Sequence, residues 1–403
     1  MTEKPALPPI LQQGIAPTKT RPPVHVLTLT PFYPSEQDDA NGCFVSEPIA
    51  ALTRAGVTNT VLAVQPFYRG PVRPRTEAPA RWLRFFSLPG GFGLPSAGAF
   101  LFARILAQVR ELQRSVKVEL LHAHAALPCG HAAMLLSAEL RIPYVVTVHG
   151  IDAFSTEQVQ GRTGEWCRRI SMRVFQSSRR VICISERVRE AVLEGTGRSA
   201  RTSVVYNGVD PDVFSPPTET LATGMRVLSV GNLIPIKGHA VLLRAVASLA
   251  SEFRELTIEI IGDGPERFRL RELAQQLQIA ERVFFPGRQS RAQVAEAMRR
   301  CTVFALPSSC EGLGCVYLEA MATGKPAIGC RGQGIAEIIQ QGLNGFLVGP
   351  DNEKELALAL GMLLRDEGLR RRLGTAARDT VLDRITLSQQ AESLARIYRE
   401  SLA

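Results

Sequence analysis

The sequence predicts an α/β protein made of two doubly wound domains that face each other across a cleft. Short apolar runs alternate with amphipathic stretches along the whole chain, which is typical of parallel sheets covered by helices. A proline-rich segment near the middle separates two series of these units, and 403 residues suffice for two domains of ordinary size. Ligands of open parallel sheets bind beyond the carboxyl ends of the strands, so we expect the chemistry in the cleft.

Each predicted strand is a short apolar run between turn or helix signals. In the first half they are VHVLTLT (24–30), VTNTVLAV (57–64), VELLHAH (118–124), PYVVTVHG (143–150), VICIS (181–185) and TSVVYNG (202–208). The second half continues with MRVLSVG (225–231), LTIEIIG (256–262), RVFFPG (282–287), TVFALPS (302–308), KPAIGC (325–330) and GFLVG (345–349). The intervening stretches have helical periodicity, for example FVSEPIAALTRA, HAVLLRAVASLA and RAQVAEAMRR.

These patterns set the expected domain organisation. Residues 1–23 are rich in proline and lack the apolar core of a signal peptide, so we expect a disordered lead-in. The first domain is expected over 24–209 and the second over 225–385, with a linker over 210–224. Residues 386–403 have the pattern of a terminal helix.

Composition narrows the class of protein and the compartment. The eight cysteines form no C-x-x-C pair, which indicates reduced thiols in a cytoplasmic protein. The longest uncharged stretch, 85–103, contains two prolines and four glycines, which argues against a transmembrane helix. Of the net charge of +9, most lies in residues 1–210, which carry 24 basic and 16 acidic residues. This excess favours an anionic partner, but no nucleic-acid-binding motif accompanies it.

The most informative segment runs from Ser308 to Ile339. It leaves a predicted strand, passes through a glycine-containing turn and enters a helix near Gly314. Glycines in such a turn let backbone amides approach a ligand, and the helix N-terminus favours an anion. Glu311 lies in the turn, and Glu319 follows about 8 Å further along the helix axis at 1.5 Å per residue. One carboxylate can therefore meet the reacting end of a ligand while the other accepts hydrogen bonds from hydroxyls.

The pattern of Glu311, seven residues, Glu319, then Ala-Met-Ala and GQGIAEII resembles the signature of retaining glycosyltransferases of family 4. The resemblance extends from Val24 onward and is strongest over 225–350. It implies the GT-B fold, with two Rossmann-like domains around a cleft. It also implies a nucleoside-diphosphate sugar as donor substrate, no prosthetic group and no metal held by the protein.

The resemblance assigns roles to individual residues. The catalytic candidates are His149 in HGID, Lys237 in GNLIPIKG, and Glu311. The resemblance implies that His149 binds the donor sugar, that Glu311 contacts this sugar near its anomeric centre, and that Lys237 neutralises the departing diphosphate. Glu319 binds the ribose hydroxyls. The predicted donor-binding residues are Gly42, Asn232, Gly287, Arg288, Gly312, Leu313, Gly314, Cys315 and Glu319.

Some of these assignments have less support in the sequence. Asn232 stands where many family members have arginine, so the diphosphate relies on Lys237 or on an arginine from elsewhere in the chain. Gly287 and Arg288 lie in FPGRQ, where the family has its base-binding loop, and they are weaker candidates. The turn IIGDGPER either closes the nucleotide site or is only a structural turn.

Three histidines follow the third predicted strand or lie close to its end. His122 and His124 are expected to line the acceptor side of the cleft. With His131 they raise the possibility of a metal site, but no carboxylate has a supporting spacing, so no metal is expected.

The expected reaction moves a sugar to a hydroxyl acceptor with retention of anomeric configuration. The resemblance favours a lipid-linked or growing glycan acceptor in cell-surface polysaccharide synthesis. The basic, aromatic stretch 81–110 either docks on an anionic membrane surface, making the protein peripheral, or is an ordinary loop and helix at the cleft. A sugar-nucleotide epimerase of the same fold and a non-catalytic sugar-nucleotide binder remain as alternatives. A nicotinamide oxidoreductase is disfavoured because the G-x-G-x-x-G fingerprint is missing.

Overall fold

A computed structural model describes residues 23–75, 80–89, 91–150, 159–218 and 224–403. Nearly all of the expected lead-in therefore lies outside the described residues. So do residues 219–223 of the expected linker, and Ile151 and Asp152 of the HGID motif.

The first sheet has seven strands, all paired in parallel. They are β1 (Val24–Thr30), β2 (Val57–Pro66), β3 (Arg81–Phe85), β4 (Leu120–His124), β5 (Tyr144–Val148), β6 (Arg180–Cys183) and β7 (Thr202–Val204). The spatial order is β3-β2-β1-β4-β5-β6-β7. The order reverses direction between β1 and β4, which is the switch point of a doubly wound sheet.

The second sheet has six parallel strands and repeats this plan. They are β8 (Arg226–Val230), β9 (Thr257–Ile261), β10 (Val283–Gly287), β11 (Val303–Ala305), β12 (Ala327–Cys330) and β13 (Gly345–Val348). The spatial order is β10-β9-β8-β11-β12-β13, so its switch point lies between β8 and β11. The predicted fold class, two Rossmann-like α/β domains, is confirmed.

Helices connect the strands and cover the sheets. Those of the first half are α1 (Cys43–Arg54), α2 (Leu94–Ser115), α3 (His131–Leu140), α4 (Gly161–Ser177) and α5 (Glu186–Gly195). Those of the second half are α6 (His239–Leu249), α7 (Arg267–Gln276), α8 (Arg291–Arg300), α9 (Cys315–Ala322), α10 (Glu353–Arg365), α11 (Glu367–Arg384) and α12 (Leu387–Leu402). Within the described ranges, no helix is both long enough and apolar enough to span a bilayer.

Every predicted strand is present, but the sequence patterns missed β3. Its sequence, RWLRF, contains two arginines and no apolar run, because it is an edge strand that pairs only with β2. Charged side chains are typical of an edge, where they discourage pairing with other chains. The segment that we interpreted as a loop or membrane-docking stretch therefore begins with a strand of the sheet.

The chain passes between the two domains at two adjacent points. Val209 and Thr386 form an isolated parallel bridge, and the amide of Val209 donates to the carbonyl of Ile385 at 3.0 Å. A Cβ atom at Gly208 would lie 2.4 Å from the carbonyl oxygen of Thr386, so the close approach requires glycine. After this second crossing, α12 packs on the first sheet, where Tyr398 is completely buried.

Candidate functional site

A cavity of about 350 Å³ lies between the two domains, where strands of both sheets end. It is lined by residues that directly follow β5, β8 and β11, which include His149, Gly231 and Leu306. This is the position at which doubly wound sheets bind ligands. Of the predicted site residues, the cavity wall contains His149, Asn232, Lys237, Glu311, Leu313, Gly314, Cys315 and Glu319.

Lys237 is held at the wall by its own backbone. It ends a short 3₁₀ turn, Pro235–Lys237, and is followed by Gly238 in the left-handed conformation at the N-terminus of α6. The carbonyl of Ile236 accepts hydrogen bonds from the Ser309 amide at 2.8 Å and from Ser308 Oγ at 3.0 Å. These bonds join the lysine loop to the turn after β11.

The turn after β11 carries Glu311 to the same place. Its carboxylate forms an ion pair with Lys237 Nζ, and both side chains are mostly buried. The amide of Glu311 donates to Gln333 Oε1 at 2.9 Å, which fixes the turn from its other side. Gly314, at φ +82°, then begins α9 as its N-cap, at the place predicted from the sequence.

Glu319 lies just over one turn after the start of α9 and is 2% exposed. Its Oε1 accepts a hydrogen bond from Arg291 Nη1. No partner for its buried Oε2 is found in the part of the chain that the structure describes. A buried acceptor without a partner is costly, about 1–3 kcal/mol, so this oxygen is suited to accept a hydrogen bond from a ligand.

The opposite wall is neutral. His149 lines the cavity, whereas His122 and His124, which were expected to line the cleft, are not part of its wall. His149 Nε2 lies 2.9 Å from His124 Nδ1, and their rings stack; His122 Nε2 lies 2.7 Å from Thr147 Oγ1. Burial lowers the pKa of His149 and of His122 to about 3, and it also lowers that of His124. These imidazoles are therefore neutral near pH 7, so His149 can exchange hydrogen bonds with a ligand but brings no positive charge.

The two walls touch at Gly312. Its carbonyl accepts a hydrogen bond from Ser185 Oγ at 2.6 Å. A Cβ atom at position 312 would lie 2.7 Å from the carbonyl oxygen of His149 and 3.0 Å from the Cα of Gly150. Gly312 is not part of the cavity wall, and its donor-binding role stays a prediction. Its small size lets the turn carrying Glu311 meet the end of β5.

Besides Gly312, three further predicted donor-binding residues lie outside the cavity wall. Gly42 is the left-handed N-cap of α1, and its Cβ would collide with the backbone of Phe32 at 2.3 Å, so its conformation alone accounts for glycine. Gly287 ends β10 at φ +85°. Arg288 pairs with Asp38 across the domain boundary, at a separate opening. None of the three is part of the cavity wall, and their donor-binding role stays a prediction.

The sequence patterns missed Arg291, the second cation at the cavity. It begins α8, and its guanidinium bonds to Glu319 and, bidentately, to Glu47 of α1 at 2.9 and 3.0 Å. The signal was present in the sequence, since Ser290 and Gln293 form a capping box that points to a helix start at 291. The pairing with a residue 244 positions away could not be inferred from spacing.

Among the described residues, no group of three or more histidine, cysteine, aspartate or glutamate side chains is arranged to hold a metal ion. His131 lies at the start of α3, apart from the pair His124 and His149.

Comparison with known proteins places the chain. Residues 44–213 match the family model described as Glycosyltransferase Family 4, and residues 218–380 match the one described as Glycosyl transferases group 1. An uncharacterized glycosyltransferase of Methanocaldococcus jannaschii is 30% identical over 66% of this chain and 71% of its own length. The putative teichuronic acid biosynthesis glycosyltransferase TuaC of Bacillus subtilis is 24% identical over 93% of this chain and 98% of its own.

Solved structures share the fold of this chain. The crystal structure of the Anabaena protein HepE in complex with UDP and glucose superposes with a TM-score of 0.75 at 21% identity, covering 94% of this chain and 100% of that one. The parallel sheets, the cleft and the family matches lead to one conclusion. The chain belongs to glycosyltransferase family 4 and is a GT-B glycosyltransferase that uses a nucleotide sugar.

Proposed function

We propose that the enzyme transfers a sugar from a nucleoside-diphosphate sugar to a hydroxyl acceptor with retention of anomeric configuration. One observation carries this proposal: Lys237, Glu311, Glu319 and His149, which come from both domains, all line one cavity at the carboxyl ends of the strands. In the proposal Glu319 accepts hydrogen bonds from the ribose hydroxyls, and Glu311 contacts the donor sugar.

The proposed step breaks the bond between the anomeric carbon and the diphosphate oxygen and forms one to the acceptor oxygen on the same face. The acceptor proton passes to the leaving phosphate oxygen. Negative charge develops on the diphosphate, and in the proposal Lys237 and the N-terminal amides of α9 stabilise it. His149, held neutral, exchanges a hydrogen bond with the sugar.

The proposal includes the domain plan predicted from the sequence. The acceptor domain comprises 24–209, the linker 210–224 and the donor domain 225–385, while 386–403 returns to the first domain. The nucleotide sugar enters as donor substrate, and we assign no prosthetic group or protein-held metal. HepE was crystallised with UDP and glucose, which supports a nucleotide-sugar donor of this type for the present chain.

For the acceptor we propose a lipid-linked or growing glycan of cell-surface polysaccharide synthesis. TuaC, which matches this chain over nearly its full length, is named for teichuronic acid biosynthesis. The cleft side of the first domain supplies neutral hydrogen-bonding groups, His149 among them, that suit sugar hydroxyls. The acceptor is proposed to enter from that side.

A membrane-held acceptor would require the enzyme to reach a lipid surface. Exposed aromatic side chains concentrate between residues 67 and 100 of the first domain, at Phe67, Tyr68, Phe86, Phe92 and Phe100. Residues 51–114 around them carry nine basic and two acidic residues. Aromatic rings between arginines are suited to the interface of an anionic bilayer. We propose that this surface docks the enzyme peripherally on the cytoplasmic face of the cell membrane.

Vesicle sedimentation tests the docking. Phe92 is 75% exposed in the first domain, and Phe268 is 71% exposed in the second, which makes a matched pair. We expect the wild type to sediment with vesicles containing acidic lipid and not with neutral vesicles. Phe92→Ser should reduce the bound fraction and Phe268→Ser should not. Equal sedimentation with both vesicle types, or equal loss in both variants, contradicts the proposal.

A thermal-shift panel of UDP-, GDP- and ADP-sugars tests the donor site, using the wild type and Glu319→Ala. Stabilisation by one nucleotide class that is lost in the variant supports the proposed site. The absence of a shift with every donor contradicts the proposed donor site. Conversion of the donor to an epimer without any acceptor favours the epimerase. With an acceptor in hand, the anomeric coupling constant of the product, measured by NMR, distinguishes retention from inversion.

A further inference from the structure

Arg291 contacts three separate parts of the chain. Its Nη1 donates to Glu319 Oε1 in the donor domain, while Nε and Nη2 donate to the two carboxylate oxygens of Glu47 in α1 of the first domain. Its Cζ also lies 4.7 Å from the ring centre of Phe214, which belongs to the crossing segment between the domains. The planar guanidinium thereby donates paired hydrogen bonds from its edge, like a fork, and packs its face on an aromatic ring.

The surrounding backbone fixes this arginine in place. The capping box of Ser290 and Gln293 sets the start of α8, and the Arg291 amide donates to Asp39 Oδ2 at 3.2 Å. The first turn of α8 is thus docked on the loop before α1, so a change in the separation of the domains would move Glu47 relative to Arg291.

The charges at this junction are buried together. Burial opposes the charged form of Arg291, but Glu319 and Glu47, with the Cys43 sulfur, outweigh it and raise the arginine pKa above its ordinary value. Burial raises the pKa of Glu47, which Arg291 counteracts. Arg291 is therefore a permanent cation that satisfies one oxygen of Glu319 and leaves Oε2 without a partner among the described residues.

We propose that Arg291 is a positioning residue that couples ribose recognition to the approach of the two domains. It orients Glu319 so that Oε2 is available to the ribose hydroxyls. Its two hydrogen bonds to Glu47 hold this orientation only while α1 and α8 are in contact. The inference rests on the proposed ribose role of Glu319. It adds that a residue of the first domain, Glu47, determines how well the second domain recognises ribose.

The test compares binding of UDP, GDP and ADP with binding of their 2′,3′-dideoxy counterparts by isothermal titration calorimetry. The wild type should prefer the ribonucleotide of its preferred base by about tenfold or more, the range of a hydrogen bond to a charged group. Glu47→Gln should weaken binding of the ribonucleotide by about five- to tenfold and leave the affinity for the dideoxy form unchanged. Arg291→Lys, which keeps the charge but not the fork, should show the same selective loss to a smaller extent.

The control removes a comparable ion pair that lies away from the cleft. Glu252 pairs bidentately with Arg365 on the surface of the donor domain, so Glu252→Gln should change neither affinity. Circular dichroism and melting temperature establish that each variant is folded. If Glu47→Gln does not fold, Arg291→Lys alone decides.

The possible failures are distinguishable. If Glu319→Ala abolishes the ribose preference but Glu47→Gln and Arg291→Lys keep it, the coupling is wrong and the ribose role of Glu319 stands. If Glu47→Gln weakens ribo and dideoxy nucleotides equally, Arg291 only holds the domains together, and the coupling is again wrong. If Glu319→Ala keeps the preference, the ribose role and the inference built on it both fail.

Discussion

The two walls of the cleft are built on the same type of sheet and differ in their electrostatics. The wall of the second domain carries two ion pairs, Lys237 with Glu311 and Arg291 with Glu319. The wall of the first domain presents His149 backed by His124, both of which burial keeps neutral. One cavity therefore has a charged side and an uncharged side.

In the proposed reaction, this difference corresponds to the two substrates. The leaving diphosphate is highly charged and needs cations and backbone dipoles that are fixed before the reaction. The acceptor and the transferred sugar present hydroxyl groups, which the neutral imidazole of His149 can bond alongside the proposed contact of Glu311 with the sugar. Because His149 is not a cation, it does not compete with Lys237 for the diphosphate. In the proposal, the neutral wall thus favours one orientation of the donor in the cleft.

The largest effect that tests this division is expected at Lys237. Lys237→Ala removes the cation that the account assigns to the leaving diphosphate, and kcat should fall by about 10²–10³-fold, as for other lost transition-state donors. Lys117→Ala, at a side chain that is 87% exposed, is the control and should leave kcat unchanged. A Lys237→Ala enzyme with wild-type kcat would place charge stabilisation elsewhere.

The next effect concerns the contact between the walls. Gly312→Ala would place a Cβ 2.7 Å from the carbonyl oxygen of His149, so the turn and the end of β5 must move apart. Displacement of catalytic groups by about 1 Å can lower kcat/KM by about 10²-fold, and we expect a loss of this order. Gly70→Ala, which would meet no atom within 4 Å, is the matched control. Unchanged kcat/KM in Gly312→Ala would show that this contact is not needed for turnover.

The smallest effect is a pH dependence that belongs to the buried histidines of the first domain. The pKa of His122 is about 3 in the folded protein and lies near 6.5 in an unfolded chain, so between these values the unfolded state binds more protons. Stability is therefore complete above about pH 6.5 and decreases as the pH falls below it, by up to about 1.4 kcal/mol per pH unit for each such histidine.

Chemical denaturation between pH 7 and pH 5 measures this decrease. His122→Asn removes one titrating group, so its free energy of unfolding should depend less steeply on pH than that of the wild type. His131→Asn is a weaker comparison at a less buried histidine, whose pKa burial also lowers. If His122→Asn and the wild type have the same slope, the buried imidazole is not the source of the dependence.

Part of the charged wall was predictable from the sequence. The resemblance to the family pointed to Lys237, Glu311 and Glu319, and the glycine-containing turn predicted a helix start near Gly314. Gly314 begins α9 in a left-handed conformation, and Glu319 follows at a helical spacing that any reader of the chain can count. The glycosyltransferase family and the two-domain fold followed from the same segment and from the alternation of strands and helices.

What could not be predicted depends on contacts between distant parts of the chain. The fork from Arg291 to Glu47 joins positions 244 residues apart, and no local pattern encodes it. The predicted cleft residue Arg288 instead meets Asp38, again a pairing across domains. The sequence patterns missed β3 because an edge strand needs no continuous apolar run.

The most direct test of the account is the affinity for nucleoside diphosphates at the two walls. UDP, GDP and ADP are titrated by calorimetry into the wild type, Lys237→Ala and His149→Asn. The account predicts that one base binds, that Lys237→Ala weakens binding about tenfold or more, and that His149→Asn changes it less than about twofold, since His149 faces the absent sugar. Equal weakening by both variants, or no binding of any of the three, would contradict a donor site with one charged and one neutral wall.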